Sequence, residues 1–317
     1  MDLLQHIKSR NEFIKKADDV DKEINELTKF IQKNEEPEPG PYLIFYHSGF
    51  SSQRVKELRI IVERLYNNRI ELLKSDMIRD VARPKDWPSG VPFPEEFEEI
   101  TKQGAEIDSQ IVLDFQSMLL FSGIALDDWA HMAAYALGTS NPANCSFDKI
   151  AKDDGNGEFS ELWKAHMKDI LWLDAFLRLY RNKMVVHRER PWQIAHTHSI
   201  YRLDWQFWTP IAHGWVTEDK QLEIKLMLNE LAKKVDRPLR ENIHELVLDI
   251  LHNIAALNKE DRRKVYAAAE EIGFATPTFQ QFAHNIVDFF GSSTKTLMSL
   301  VKENPGRVNL GKPPEAG

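Results

Sequence analysis

A cluster of basic residues surrounds one histidine between residues 178 and 190. The segment RLYRNKMVVHRER contains five basic residues and a single acid, Glu189, although the whole chain carries a formal net charge of −8. The basic residues are Arg178, Arg181, Lys183, Arg188 and Arg190. Such a concentration of positive charge around the titratable His187 indicates either a solvated helix end or a site that handles anions.

The residue types in this segment fit the cleavage of RNA without a metal ion. The imidazole of His187 has an ordinary pKa of about 6.5, so it can take or give a proton near neutral pH. The guanidinium of Arg181 stays charged and matches the oxygens of a phosphate group. We expect His187 to act on the proton of a ribose 2′-hydroxyl while Arg181 stabilises the phosphorane, and general acid–base help of this kind contributes about 10²–10⁴-fold.

The spacing of Arg181 and His187 sets a geometric condition on this chemistry. Residues six apart on an ideal helix differ by about 120° in direction and roughly 9 Å in height, so they do not form a close pair. The pair therefore needs either an irregular helix or a second chain that faces the first. Val185 and Val186 are weak helix formers and Pro191 follows closely, which favours an irregular helix.

An arginine, an asparagine, four residues and a histidine on an apolar helix resemble the signature of the HEPN superfamily, here in YRNKMVVHRE (180–189). The stretch FQSMLLFSGIALDDWAHM (115–132) is similar to the long helix that precedes this motif in several HEPN families. The resemblance implies a helical bundle, a homodimer with a shared cleft and metal-independent endoribonuclease activity without a cofactor. It also implies Arg181 and His187 as the catalytic pair, Asn182 as the supporting polar residue, and a role in toxin–antitoxin or phage-defence systems with an antitoxin or another regulatory protein as a possible partner.

Residues around this motif allow further functional interpretations. Arg178, Lys183, Arg188 and Arg190 are expected to position RNA through its phosphates. Asp127 is expected to orient Arg181 or to tune His187. The alternatives are a buried pair with His131, one helical turn away, that fixes the helix register, or simple exposure to solvent.

Other polar and aromatic features outside the motif are weaker candidates. His196 and His198 lack the further ligands that zinc needs, so we expect no metal site. The aromatic stretch at 192–215 either stacks bases or forms a seam between helical layers. Cys145 has no neighbouring base and is assigned no role.

Composition excludes several broad classes of protein. The 317-residue chain is 42% hydrophobic, which is enough for a sizeable core, and its single cysteine cannot form an internal disulfide. Its negative charge does not favour steering the whole chain onto nucleic acid. Neither a secretory signal nor a run of 18 apolar residues is present, so we expect a cytoplasmic protein that does not enter a membrane.

Hydrophobic periodicity predicts an all-α fold. Apolar residues recur at helical spacing over eight ranges, whereas only YLIFYH (42–47) could be either a strand or the start of a helix. The ranges are 2–35, 51–80, 107–137, 159–188, 217–235, 238–256, 259–273 and 277–303. Proline and glycine predict loops at 83–97 and 139–157. The fold class is therefore a multi-helix bundle, with a HEPN-like core implied by the resemblance.

The sequence divides into four expected regions. They are an N-terminal helical arm at 1–40, a HEPN-like core at 41–215, a helical C-terminal extension at 216–305 and a flexible tail at 306–317. The N-terminal helix is expected either to bind a partner or to pack against the core. The main functional hypothesis is an endoribonuclease. The alternative is a catalytically silent helical module that binds RNA, a nucleotide or a protein.

Overall fold

The protein is an all-α multi-helix bundle. A computed structural model describes residues 3–35, 42–82, 92–180, 216–273 and 276–311, together with the backbone of 195–197 and 206–208. The helices in these ranges are α1 (Leu3–Glu35), α2 (Leu43–Ala82), α3 (Glu95–Ala136), α4 (Phe147–Lys152), α5 (Ser160–Tyr180), α6 (Glu218–Lys234), α7 (Ile243–Leu251), α8 (Lys259–Ile272) and α9 (Phe279–Glu303). Single 3₁₀ turns occur at Pro142–Asn144, Ile254–Ala256 and Pro305–Arg307.

Long helices at both ends of the chain build one core. Helices α2 and α3 pack along each other, and α1 packs between α2 and α9. Helix α1 buries one stripe at helical spacing, which includes Val20, Ile24, Leu27 and Ile31. The N-terminal helix therefore packs on the body of the protein. Helices α6, α7 and α8 contact one another, and α7 and α8 also contact α5.

Phe289 of α9 joins three other helices. Its ring centroid lies 5.0 Å from that of Trp129 in α3, 5.6 Å from Phe147 in α4 and 6.1 Å from His166 in α5. Edge-to-face contacts at these distances are favourable beyond the burial of apolar area. This aromatic cluster fixes α9 against the helices that surround the candidate site.

Side-chain caps define where the C-terminal helices begin. Thr217, Asn242, Asn258 and Thr278 each precede a helix and accept a hydrogen bond from a backbone N–H of its first turn. Such caps satisfy donors that have no partner inside the helix and contribute about 1 kcal/mol each. The predicted starts at 217, 259 and 277 agree with the observed starts within two residues, whereas α7 begins later than the predicted 238.

Several predicted boundaries were wrong. YLIFYH, which the sequence left as either a strand or the start of a helix, is the start of a helix, because α2 begins at Leu43, ahead of the predicted range 51–80. Helix α3 begins at Glu95 rather than at 107, because acidic residues in its first turn interact favourably with the helix dipole. Helix α4 lies in the predicted loop 139–157 and is capped by Ser146. Residues 181–188 of the predicted helix 159–188 lie outside the described residues.

The C-terminal segment 305–311 packs against the bundle, although the sequence indicated a flexible tail from 306. The backbone N–H of Leu43 donates to the carbonyl oxygen of Gly311 at 2.9 Å, and that of Asn309 donates to the carbonyl of Tyr135 at 2.9 Å. Arg307 Nε donates to the carbonyl of Leu137 at 2.7 Å. These bonds tie the segment to the start of α2 and the end of α3.

The remaining features of the fold are one antiparallel strand pair and the apolar character of the long helix α3. Strands β1 (Ala195–Thr197) and β2 (Gln206–Trp208) form one antiparallel pair in the stretch that the sequence indicated as aromatic and irregular. Among the described residues, helix α3 alone is long and apolar enough to cross a membrane by length and composition, and 44% of its apolar window is buried inside the protein. A core helix of a soluble protein meets the same criterion, and the packing of α3 against α2 fits that role.

Candidate functional site: the cleft at the end of helix α5

An open cleft of about 820 Å³ lies where α3, α4 and α5 meet. Helix α5 is described as far as Tyr180, which borders the cleft and directly precedes Arg181 in the sequence. The other lining residues are Leu119, Leu120, Gly123, Ile124, Leu126 and Asp127 of α3, Ser146, Phe147 and Asp148 at the start of α4, and Asp174, Leu177 and Arg178 of α5. The cleft thus combines an apolar floor with charged groups.

Asp127 connects α3 to α4. Its carboxylate oxygen Oδ1 accepts a hydrogen bond from the backbone N–H of Phe147 at 2.9 Å. This contact satisfies one of the free donors at the start of α4. The expected partnership with His131 takes another form, because Nδ1 of His131 donates to the backbone carbonyl of Asp127 at 2.8 Å.

Arg178 joins α5 to α4. Its Nη2 donates to Asp148 Oδ1 at 2.7 Å and to Asp174 Oδ2 at 3.0 Å. The guanidinium carbon lies 5.7 Å from the ring centroid of Tyr266 in α8, which is within the range of a cation–π contact. Arg178 is therefore held by groups from three helices. Its predicted role in binding RNA stays a prediction, and this geometry favours an anchoring role.

Burial shifts the titration of the groups around Arg178. Burial raises the pKa of Asp174, and the nearby Arg178 opposes that rise. Burial lowers the pKa of Arg178, but Asp174 and Asp148 outweigh it, so the pKa of Arg178 lies above its ordinary value. Burial also raises the pKa of Tyr180. Arg178 therefore remains a fixed cation whose charge is matched by its neighbours.

The lining of the cleft is negative. Three carboxylates, on Asp127, Asp148 and Asp174, face one guanidinium, on Arg178. Clefts with one dominant sign of charge concentrate ligands of the opposite sign. This lining favours a ligand that carries positive charge or hydrogen-bond donors, and it disfavours a phosphate inside the cleft.

The remaining residues of the predicted site lie outside the described residues. These are Arg181, Asn182, Lys183, His187, Arg188 and Arg190. Of the predicted set, the structure brings Asp127 and Arg178 to the same cleft, through α4 rather than by direct contact. The catalytic assignment of Arg181 and His187 stays a prediction. His198 also lies outside the described residues, and His196 is described by its backbone alone.

A second polar cluster joins α2 to α3 and was missed in the sequence. The imidazoles of His47 and His131 stack in parallel, with ring centroids 4.6 Å apart and planes 8° apart. Burial and the adjacent His131 lower the pKa of His47 to about 4. Arg54 lies 3.5 Å from a carboxylate oxygen of Asp128 in the same region. No spacing in the sequence indicates this cluster, because its members come from different helices.

Metal and thiol chemistry find no support in the described part of the chain. Within those ranges, no group of three histidine, cysteine or acidic side chains is arranged to hold a metal ion. Cys145 is buried, and burial raises the pKa of its thiol to about 12. A thiol of this kind is unreactive at neutral pH.

Comparisons with known proteins gave no match. No protein-family model matches the chain, and neither the curated proteins nor the solved structures contain a significant relative. The similarity to HEPN proteins therefore rests on the two stretches 115–132 and 180–189.

Proposed function

We propose that this protein is a metal-independent endoribonuclease of the HEPN type that acts as a homodimer. The observation that carries the proposal is the Arg-Asn-x4-His motif, which begins directly after Tyr180 at the border of an open cleft. In this proposal Arg181 and His187 are the catalytic pair and Asn182 supports them. A role in phage defence or a toxin–antitoxin system, with an antitoxin as partner, rests on the resemblance alone.

The proposed reaction is an internal phosphoryl transfer within the RNA. His187 accepts the proton of the 2′-hydroxyl, and the 2′-oxygen attacks the adjacent phosphorus. Arg181 stabilises the negative charge on the phosphorane oxygens. The bond to the 5′-oxygen breaks and that oxygen takes up a proton, which leaves a 2′,3′-cyclic phosphate and a 5′-hydroxyl.

The described residues support this site by position. Arg178 is held by Asp148 and Asp174, so it anchors the last described turn of α5. We assign phosphate binding mainly to Lys183, Arg188 and Arg190, because the charge of Arg178 is already matched. Binding through these cations weakens as salt concentration rises.

The direct test is cleavage of a single-stranded RNA in the presence of a chelator. We expect the wild-type protein to cut, and both Arg181→Ala and His187→Ala to lose at least about 100-fold in rate. Arg59→Ala is the control, since Arg59 pairs with Asp18 in the seam between α1 and α2. Equal cleavage by the two site variants and the wild type would refute the assignment.

A mixing experiment tests the homodimer. If Arg181 of one chain works with His187 of its partner, an equimolar mixture of Arg181→Ala and His187→Ala proteins regains activity, because mixed dimers contain one intact pair. No recovery, with mixed dimers shown to form, would exclude a shared site.

The second candidate is a catalytically silent interaction module. The negative cleft and the exposed apolar face of α3 beside it favour this function over phosphate binding at the cleft itself. A protein that binds a partner and cleaves no RNA under any of the conditions above would establish this alternative.

A further inference from the structure

An apolar stripe on α3 is open to solvent. Leu113 is 55% exposed, Leu120 is 40% exposed and Ile124 is 46% exposed. Spacings of seven and four residues place the three side chains on one face of the helix, over a length of about 16 Å. Isolated exposed leucines are ordinary on protein surfaces, but an aligned set of this kind marks an interaction surface.

The stripe runs into the cleft. Leu120 and Ile124 of the stripe also line the cleft, together with Leu177 of α5. Asp127 and Asp148 lie at the end of the stripe that enters the cleft. Both oxygens of Asp148 are already engaged, because Oδ1 binds Arg178 and Oδ2 binds Lys152 of α4 at 2.6 Å. Oδ2 of Asp127 has no hydrogen-bond partner within the described ranges, while Oδ1 is bound to Phe147. An apolar track therefore ends at one carboxylate oxygen, on Asp127, that a ligand can bind.

We propose that this surface, formed by Leu113, Leu120, Ile124 and the cleft, docks a basic amphipathic helix of a partner protein. An amphipathic helix fits this surface, because its apolar residues recur every three or four positions along one face and can pack against the stripe. An arginine or lysine at the edge of that helix reaches Oδ2 of Asp127. RNA and anionic lipid are disfavoured as occupants, because they carry the same sign of charge as the cleft.

Charge complementarity identifies the chemistry of the partner. The cleft supplies three carboxylates against two cations that are already engaged, the guanidinium of Arg178 and the ammonium of Lys152, so one negative charge is left in excess. A lysine or arginine of the partner helix offsets this excess of negative charge, and burial of the apolar stripe supplies the affinity. This inference does not depend on the nuclease activity, since a docking surface serves either of the functions proposed above.

The first test measures binding of a synthetic peptide to the full chain. The peptide has about 18 residues, leucines at helical spacing and arginines along one edge, and fluorescence anisotropy reports its binding. We expect Leu120→Asp to weaken binding at least about tenfold. Leu226→Asp is the matched control, because Leu226 is 59% exposed on α6, and it leaves binding unchanged. Urea unfolding checks that both variants fold, and Leu120→Ala serves if the aspartate does not fold.

The second test isolates the charge contact through a double-mutant cycle. Asp127→Asn removes the charge and keeps an oxygen that can accept the hydrogen bond from Phe147. This variant is expected to weaken binding of the arginine peptide about fivefold to tenfold. Binding of a second peptide, in which glutamines replace the arginines, is expected to be unaffected. Equal effects on the two peptides would overturn the proposed role of the carboxylates.

Two other occupants of the surface are distinguished by the same variants. If the peptide does not bind and Leu120→Asp converts a dimer to a monomer in light scattering, the surface is an interface between two copies. If Arg188→Glu greatly strengthens peptide binding, the chain's own residues compete for the surface. Either result overturns the proposal of a free docking site.

Discussion

The ion pair between Arg178 and Asp174 is the most consequential charged contact among the described residues of the candidate site. Asp174 is almost fully buried, with a side chain 10% exposed, and both of its oxygens lie within hydrogen-bond distance of Arg178 Nη2. Removing one partner of such a pair leaves an uncompensated charge away from water, which costs more than the loss of the contact itself. The end of α5 therefore depends on Arg178.

Arg178→Ala is expected to lower the free energy of unfolding by about 2–3 kcal/mol, because it leaves Asp174 buried without its cation. Urea unfolding at pH 7 measures the change. Arg240→Ala, which breaks a more exposed pair with Asp249, is the control and is expected to cost less than Arg178→Ala. Similar losses in the two variants would show that Arg178 is not an anchor.

The stacked pair of His47 and His131 makes stability depend on pH. The pKa of His47 is lowered to about 4 in the folded protein, while the unfolded value is 6.5. The unfolded state therefore binds the proton first, so the contribution of His47 is fully present above pH 6.5 and is lost as pH falls from 6.5 to 4.

His47→Phe is expected to reduce the acid sensitivity of the protein. Because the ring is partly exposed, we expect the loss of unfolding free energy between pH 7 and pH 4.5 to be about 1–2 kcal/mol smaller in the variant than in the wild type. Urea unfolding at the two pH values gives both losses. If the variant and the wild type lose the same unfolding free energy between pH 7 and pH 4.5, His47 does not titrate between these pH values.

At the scale of single residues, the sequence indicated which charged side chains lie near one another in the fold but not what they contact. Asp127 and Arg178 were selected for their charge and position on helices, and both line the same cleft. Their actual partners, Phe147 and Asp148, come from a helix that the sequence did not indicate. Contacts between residues 20 or 30 positions apart depend on how helices pack, which helical spacing alone does not determine.

Helix α9 acts as the central element of the bundle on the side of the candidate site. Phe289 contacts aromatic rings of α3, α4 and α5 and is 1% exposed. Phe289→Ala is expected to lower the free energy of unfolding by about 3–5 kcal/mol through the cavity that it leaves. Phe289→Leu is expected to cost less, because more of the volume is kept.

Thermal and urea unfolding measure the stability of both Phe289 variants. Leu222→Ala is the control, since Leu222 is 58% exposed on α6 and its removal is expected to change stability by less than about 0.5 kcal/mol. A loss at Phe289→Ala no larger than that of the control would contradict the central position of α9.

The packed C-terminal segment requires a glycine at its last described residue. Gly311 has a φ of +68°, and a Cβ at this position meets the ring of Tyr135. Gly311→Ala is therefore expected to cost about 1–2 kcal/mol and to release the bonds that tie the segment to Leu43. Hydrogen exchange at the amide of Leu43 reports this release, and Gly306→Ala, which has open space around its Cα, is the control. Unchanged protection of Leu43 in Gly311→Ala would show that the segment tolerates a side chain there.

Element by element, the existence of the long helices was predictable and their limits were not. The buried stripe of α1 and the capped starts of α6, α8 and α9 follow from local patterns, so they were found. The first three turns of α3 are largely exposed and carry few apolar residues, so periodicity gave no signal there. Helix α4 has only six residues, which is too short for a periodic pattern.

For the whole molecule, an acidic cleft in the described residues is followed in the sequence by a basic segment at 181–190. The described cleft is lined by three carboxylates and one arginine, and the sequence directly after Tyr180 is strongly basic. This arrangement separates two proposed tasks. The basic segment would bind phosphate, and the acidic cleft with its apolar stripe would bind a protein helix. The all-α class was correctly predicted, whereas the assignment to the HEPN superfamily stays a prediction.

The most direct test of the proposed function is whether cleavage needs the ribose 2′-hydroxyl. An RNA is compared with the same RNA that carries one 2′-deoxynucleotide at the mapped cleavage position, with chelator present, and mass spectrometry identifies the product ends. We predict a 2′,3′-cyclic phosphate and a 5′-hydroxyl from the first substrate and no cleavage at the substituted position in the second. Cleavage of the deoxy-substituted position, or products with 5′-phosphate ends, would contradict the proposed function.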